Sequence, residues 1–144
     1  MRLQKSTAFK IVIELIHLYQ KLHSIGIVHN DLKLDNVLTS LEDPSQLVLI
    51  DFGMATSYLD DKGDHIELIE QDFFNGNLMF GSHFCADGIV PSRRDDIIST
   101  MNLLVYFLNG NKLPWSHDIF TKPNKAQILM KRGLTSGPFS RCWI

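Results

Sequence analysis

Apolar residues recur at Phe9, Val12, Ile13, Ile16, Tyr19 and Leu22, a spacing that predicts a helix over about residues 6–24. Ser6 or Thr7 is the expected cap at its start, and Gly26 lies just past its end. "IGIVHNDL" then reads as a short apolar step into a polar loop. "NVLTS" and "LVLID" read as two short strands, and the turn formers of "LEDPSQ" between them predict a β-hairpin. "DFGMA" leaves the second strand at a glycine. From Ser57 to Ile89 no period holds, and recurring Asp, Gly and Asn predict loop with short helical pieces. "RRDDIISTMNLLVYFLNG" predicts a second long helix, apolar nearly all round at its centre and therefore buried. Gly110 stops it, and the Pro of "KLPW" follows. The tail carries one weak helical pattern, Lys125 to Lys131.

The length, 144 residues, allows one domain with a real core. Apolar residues are 44% and charged residues 21%, ordinary for a globular protein. A net charge of −2 gives no reason to expect nucleic acid or an acidic membrane surface as partner. The longest apolar-rich run, "FKIVIELIHLY", is interrupted by Lys10, Glu14 and His17 and is too short to span a bilayer. The first ten residues lack the apolar run and small-residue cleavage site of a signal peptide. Two cysteines, Cys85 and Cys142, make no disulfide framework, so a reduced intracellular setting is expected.

The chemistry concentrates in "HNDLKLDN", the pattern His29-x-Asp31-x-Lys33-x-x-Asn36, which is followed by Asp51-Phe52-Gly53. Asn36 starts the first predicted strand and Asp51 ends the second, so the hairpin makes them neighbours. An amide oxygen and a carboxylate are hard oxygen ligands that suit Mg²⁺, which takes few protein ligands and fills its shell with water and phosphate oxygens. Asp31 can face the same space as a base, and Lys33 can neutralise charge on a transferring phosphoryl group. A bland reading is a turn and a hydrogen-bonded loop. Four fixed residues in one eight-residue window arise by chance at roughly one in 10⁵ per start position at average usage. The added Asp-Phe-Gly makes the bland reading the weaker one.

These motifs resemble the protein kinase catalytic domain. "SRRDDIISTMNLLVYFLNGNKLPW", "GSHFCADG" in place of Ala-Pro-Glu, and the His65-Ile66 pair are similar to the casein kinase I group. The resemblance is strongest over residues 6–115, and the tail 116–144 diverges. It implies a protein-kinase-like fold: residues 1–144 as a mainly α-helical large C-terminal lobe with a short β-hairpin, the N-terminal β-rich lobe absent. It implies a serine/threonine kinase that moves the γ-phosphoryl of ATP to protein hydroxyls, with ATP and Mg²⁺ as cofactors. Asp31 would be the catalytic base and Lys33 would touch the γ-phosphate. Asn36 and Asp51 would hold Mg²⁺ and the nucleotide. His29 would pack near Phe52, and Asp96 would be the buried acid that holds the catalytic-loop backbone. Arg93 and Arg94 stay open between a role and plain solvated charge. The implied partner is a protein substrate with Ser or Thr, the implied state a monomer, the implied place the cytoplasm or nucleus.

Some positions depart from the family pattern. Asn30 stands in place of the usual Arg, and Thr56 and Met79 where the casein kinase I group carries basic residues that favour acidic or phosphorylated substrates. Asn77 stands where a Thr usually bonds the catalytic Asp and Lys. No glycine-rich phosphate loop and no strand Lys precede His29. The rival readings are an inactive kinase fragment or pseudokinase that acts as a binding scaffold, and a small-molecule phosphotransferase of the aminoglycoside or choline kinase type. Lys33 and the "SRRDD" to "LPW" segment oppose the last.

Overall fold

The computed structural model describes residues 3–71 and 76–117. Helix α1 runs Lys5–Ser24 and buries Ala8, Val12, Leu15 and Tyr19. These four repeat every three or four residues and form one stripe. The wider stripe expected from the sequence is trimmed on one side: Phe9 and Ile13 are about half exposed, at 48% and 51%. The N-cap is Gln4, without a side-chain bond, so Ser6 and Thr7 lie inside the first turn and do not cap it. The C-terminus matches expectation. Ile25 N and Gly26 N donate back to Leu22 O and His23 O, and Gly26 takes φ +82. A Cβ there would sit 2.8 Å from the Leu59 side chain, so both the backbone sign and the space call for glycine.

The predicted hairpin is present. Strands β2 (Val37–Thr39) and β3 (Leu47–Leu49) pair antiparallel, Val37 opposite Leu49 and Thr39 opposite Leu47. Ile50 N donates to Asn36 O at 3.0 Å, which extends the ladder to the residue beside Asp51. Asn36 itself closes a 3₁₀ turn, Leu34–Asn36, instead of starting the strand. The turn between the strands is tied by Asp43, which accepts from Ser45 N at 2.9 Å. A second pair was not expected: β1 (Ile27–Val28) and β4 (Thr56–Ser57), antiparallel. Strands of two residues leave no alternation to read. This pair carries the segment after Asp51-Phe52-Gly53 back against the segment before His29.

A short helix, α2 (His83–Ala86), falls in the region expected to be loop with helical pieces. Ser82 Oγ caps it by accepting from Cys85 N. Helix α3 (Arg93–Leu108) opens with a reciprocal capping box between Ser92 and Asp95. It is buried as expected, but its first ten residues bury polar groups: Asp95, Asp96, Ser99, Thr100 and Asn102. Thr100 Oγ1 donates to Asp96 O, and Asn102 Nδ2 donates to Phe80 O at 3.0 Å and Gly81 O at 3.1 Å.

The core joins α1, α3 and the last described turn through Leu15, Tyr19, Leu32, Phe80, Leu103, Phe107, Leu113 and Trp115. The Trp115 indole N–H donates to Met79 O at 2.8 Å, so the Leu-Pro-Trp turn anchors the segment before α2. No helix of the described residues is long and apolar enough to cross a membrane. The weak helical pattern Lys125–Lys131 and Cys142 lie outside the described residues.

Leu15 is fully buried and Ile13, two residues away and on the opposite side of the helix, is half exposed. Leu15→Ala is therefore expected to cost about 2–5 kcal/mol in denaturant unfolding. Ile13→Ala is expected to stay within roughly 1 kcal/mol. Equal losses would contradict the face assigned to α1.

Candidate active site

The loop from His29 to Asn36 hangs between β1 and the hairpin, and one carboxylate fixes its start. Asp96, in the first turn of α3, is 1% exposed. Its Oδ2 accepts from His29 N and its Oδ1 from Asn30 N, both at 2.9 Å. His23 of α1 brings Nε2 to Oδ2 at 2.8 Å. Between the two bonded amides the chain turns sharply, and Asn30 takes φ +62, a left-handed conformation that Asn tolerates better than most residues. Asn30 is buried, and Cys85 Sγ lies 3.7 Å from its Oδ1. Burial pushes the Cys85 thiol up to about 12, so it stays a thiol and not a thiolate.

His29 is fully buried and bridges both motifs. Its Nδ1 accepts from Asp31 N at 3.3 Å, which leaves Nε2 as donor to Ile50 O at 3.1 Å. Its ring meets the edge of Phe52, centroids 5.0 Å apart. The expected packing near Phe52 is thus observed.

Asp31 emerges from this frame with three side-chain donors on its carboxylate. Lys33 Nζ reaches Oδ2 at 2.7 Å, Asn36 Nδ2 reaches Oδ2 at 3.1 Å, and Asn77 Nδ2 reaches Oδ1 at 3.3 Å. Burial pushes the Asp31 carboxyl up, but the bonds from Lys33, Asn77 and Asn36 and the Lys33 charge outweigh it and hold the carboxyl below its ordinary value. Lys33 is held above its ordinary value, first by its bond to Asp31 and then by the charges of Asp31 and Asp51, against a smaller opposing effect of burial. Asn77 also accepts from Met79 N and Phe80 N, so it ties the segment before α2 to Asp31.

Asp51 takes φ +61 at the end of the hairpin, with its side chain 52% exposed and its Oδ2 3.6 Å from Lys33 Nζ. No hydrogen bond joins the Asn36 and Asp51 side chains; they meet through Asp31 and Lys33. The structure therefore gathers Asp31, Lys33, Asn36 and Asp51 into one cluster. Among the described residues, no three His, Cys, Asp or Glu side chains gather into a metal cage. The donor set fits a divalent cation of the Mg²⁺ type, which needs only one or two protein oxygens. The Asn36 amide nitrogen is spent on Asp31 O at 2.9 Å and Asp31 Oδ2, leaving its oxygen for a ligand, and the Asp51 carboxylate is half open.

The two open arginines both have partners. The Arg93 guanidinium lies 4.7 Å over the Tyr58 ring and Arg94 lies 4.3 Å over Phe84. Arg94 also donates to Val90 O at 3.4 Å and pairs with Asp95. Sequence reasoning passed over His23. A signal existed: it follows Tyr19 by four residues and so continues the buried stripe of α1.

The protein kinase domain model matches residues 1–130. The chain is 32% identical over 137 residues to a rice (Oryza sativa subsp. japonica) protein, Casein kinase 1-like protein HD16, covering 92% of this chain and 19% of the relative. It is 33% identical over 136 residues to Casein kinase I homolog 2 of Saccharomyces cerevisiae, covering 92% and 24%. It is 35% identical over 132 residues to Nucleosomal histone kinase 1 of Drosophila melanogaster, covering 88% and 21%. The chain thus spans about a fifth to a quarter of the length of these curated relatives. On the match over residues 1–130 and on these likenesses to casein kinase I proteins, the chain belongs to the protein kinase domain family.

Proposed function

We propose that residues 1–144 form the large, C-terminal lobe of a casein kinase I-like serine/threonine kinase domain and carry its phosphoryl-transfer machinery. ATP is the phosphoryl donor and a Ser or Thr hydroxyl of a protein is the acceptor. The observation that carries this reading is the Asp31 carboxylate, held by Lys33, Asn36 and Asn77 beside Asp51.

Asp31 accepts a hydrogen bond from the substrate hydroxyl and takes its proton as the oxygen bonds to the γ-phosphorus and the bond to the ADP oxygen breaks. Its lowered pKa leaves it ionised at neutral pH but a weak base, so its first part is to orient the hydroxyl by accepting its hydrogen bond. Lys33, already within 2.7 Å of Asp31, offsets negative charge that gathers on the phosphoryl oxygens. Asn36 and Asp51 are the residues that would hold Mg²⁺. When bound, Mg²⁺ would supply positive charge against the phosphates beside these two residues. Asn77 takes over the usual threonine's bond to the catalytic Asp by a different donor, an amide N–H on Asp31.

The test is steady-state transfer from MgATP to casein by the full protein. Asp31→Asn is expected to lower kcat by about 10²–10⁴-fold, the range for a removed general base. Asp51→Asn is expected to raise the Mg²⁺ concentration needed for half-maximal rate by at least about tenfold, since a half-open carboxylate ligand is lost. A well-folded protein that transfers no phosphate, or an Asp31→Asn variant as active as wild type, would sink the enzymatic reading and leave the scaffold one.

The pH dependence has a definite sign. Because the folded pKa of Asp31 lies below the unfolded one, its contribution to stability is fully present above the ordinary carboxylate value of about 4. That contribution is lost as pH falls through the lowered folded value. Denaturant midpoints from pH 7 down to pH 2.5 are expected to fall more steeply for wild type than for Asp31→Asn. Parallel curves would contradict it.

A further inference from the structure

We propose that Asn102 is a positioning residue for phosphoryl transfer: it holds the turn from Asn77 to Gly81 against α3, so that Asn77 reaches the Asp31 carboxylate. This rests on the reading of Asp31 given above.

The Asp31 carboxylate is held on both of its oxygens. Lys33 and Asn36 bond Oδ2, and Asn77 bonds Oδ1. A carboxylate turns easily about its last torsion, so bonds to one oxygen alone leave the other free to swing. The bond from Asn77 therefore sets the plane of the group. Asn77 sits in a turn closed on itself. Its Oδ1 accepts from Met79 N at 2.8 Å and from Phe80 N at 3.1 Å, and its backbone O accepts from Gly81 N at 2.6 Å. A Cβ on Gly81 would run into Asn77 O, so the turn closes this tightly on a glycine.

These bonds shape the turn but do not attach it to the rest of the fold. Asn102 does. It is buried in α3, 3% exposed, and its Nδ2 donates to two successive carbonyls of the turn, Phe80 O and Gly81 O. The Phe80 ring meets Tyr106 edge-on, one helical turn further along α3, centroids 5.4 Å apart. Trp115 holds the neighbouring Met79 O at 2.8 Å. The turn is thus clamped to α3 at one end while its other end carries the donor to Asp31. A donor supported from a buried helix is what holding a reacting group within a fraction of an ångström requires.

Asn102 touches no reacting group, and its path to Asp31 runs through the turn and the Asn77 side chain. A leucine of similar size would keep the packing but leave Phe80 O and Gly81 O without that donor. The loss falls on the orientation of Asp31, and so on kcat and not on binding of the nucleotide.

In the full protein with MgATP and casein, Asn77→Ala and Asn102→Leu are each expected to lower kcat about tenfold, the scale of a small misplacement of a reacting group, with the KM for ATP within about threefold. The double variant decides the route. Because Asn102 acts through Asn77, its kcat is expected within about threefold of Asn77→Ala alone, where independent losses would multiply to about 100-fold. Unchanged kcat in Asn102→Leu, multiplied losses in the double variant, or a loss carried by KM would overturn the proposal. A second readout needs neither variant nor turnover. Nitrogen-edited NMR of the wild type is expected to find Asn102 side-chain amide protons exchanging at least about a hundredfold more slowly than a free carboxamide. Exchange at the free rate would overturn the hold on the turn. If wild type transfers no phosphate, the proposed function falls, and this exchange rate still decides the Asn102 contact.

Discussion

One buried carboxylate, Asp96, is the point on which the rest of this structure turns. An unpaired buried carboxylate costs several kcal/mol, so it persists in a fold only where donors converge on it. Here they come from two directions: the amides of His29 and Asn30 from the loop, and the His23 ring from α1. The packing of α1 on α3 through Leu15, Tyr19, Leu103 and Phe107 brings these donors into range. Core packing and loop geometry are thus one problem with one solution.

From that pivot the active cluster follows by short steps. The two held amides flank the left-handed turn at Asn30, and the next residue, Asp31, meets Lys33, Asn36 and Asn77. His29 ties the same loop to Ile50 and Phe52, so the hairpin end cannot drift from it. Lys33 then sits between Asp31 and Asp51, two negative groups whose fields raise its pKa. A cation between two acids is the arrangement that the proposed transfer from MgATP would use. Around it, Asn30, Thr56 and Met79 add no positive charge.

The sequence made much of this legible. Helix α1 was readable because apolar residues hold helical spacing over most of its length, α3 because a long apolar run nearly all round ends at Gly110, and the hairpin because turn formers separate two β-rich runs. The four residues Asp31, Lys33, Asn36 and Asp51 were readable because a fixed spacing of unlike polar types is improbable by chance. What escaped had physical reasons. The β1–β4 pair is two residues long and exists only through tertiary contact. Gln4 starts α1 without a capping side chain, so the usual signal at Ser6 and Thr7 misled. The polar positions of α3 were hidden because Asn102 buries its amide against Phe80 O and Gly81 O, some twenty residues away in sequence, while Thr100 bonds back to Asp96 O within the helix. His23 continues the buried stripe of α1 four residues after Tyr19, but its partner Asp96 lies far along the chain and is brought to it only by the packing of α1 on α3.

The claim that a buried carboxylate fixes the loop can be measured at the two amides it holds. Hydrogen exchange followed by NMR in wild type and Asp96→Asn reads them directly. The amide group of Asn turns a donor toward one backbone N–H, so protection at His29 and Asn30 is expected to fall at least about tenfold, or roughly 1.4 kcal/mol. The Leu15 amide, in the middle of α1, is expected to keep a protection set by the helix. Unchanged exchange at His29 and Asn30 in a folded Asp96→Asn protein would contradict the account.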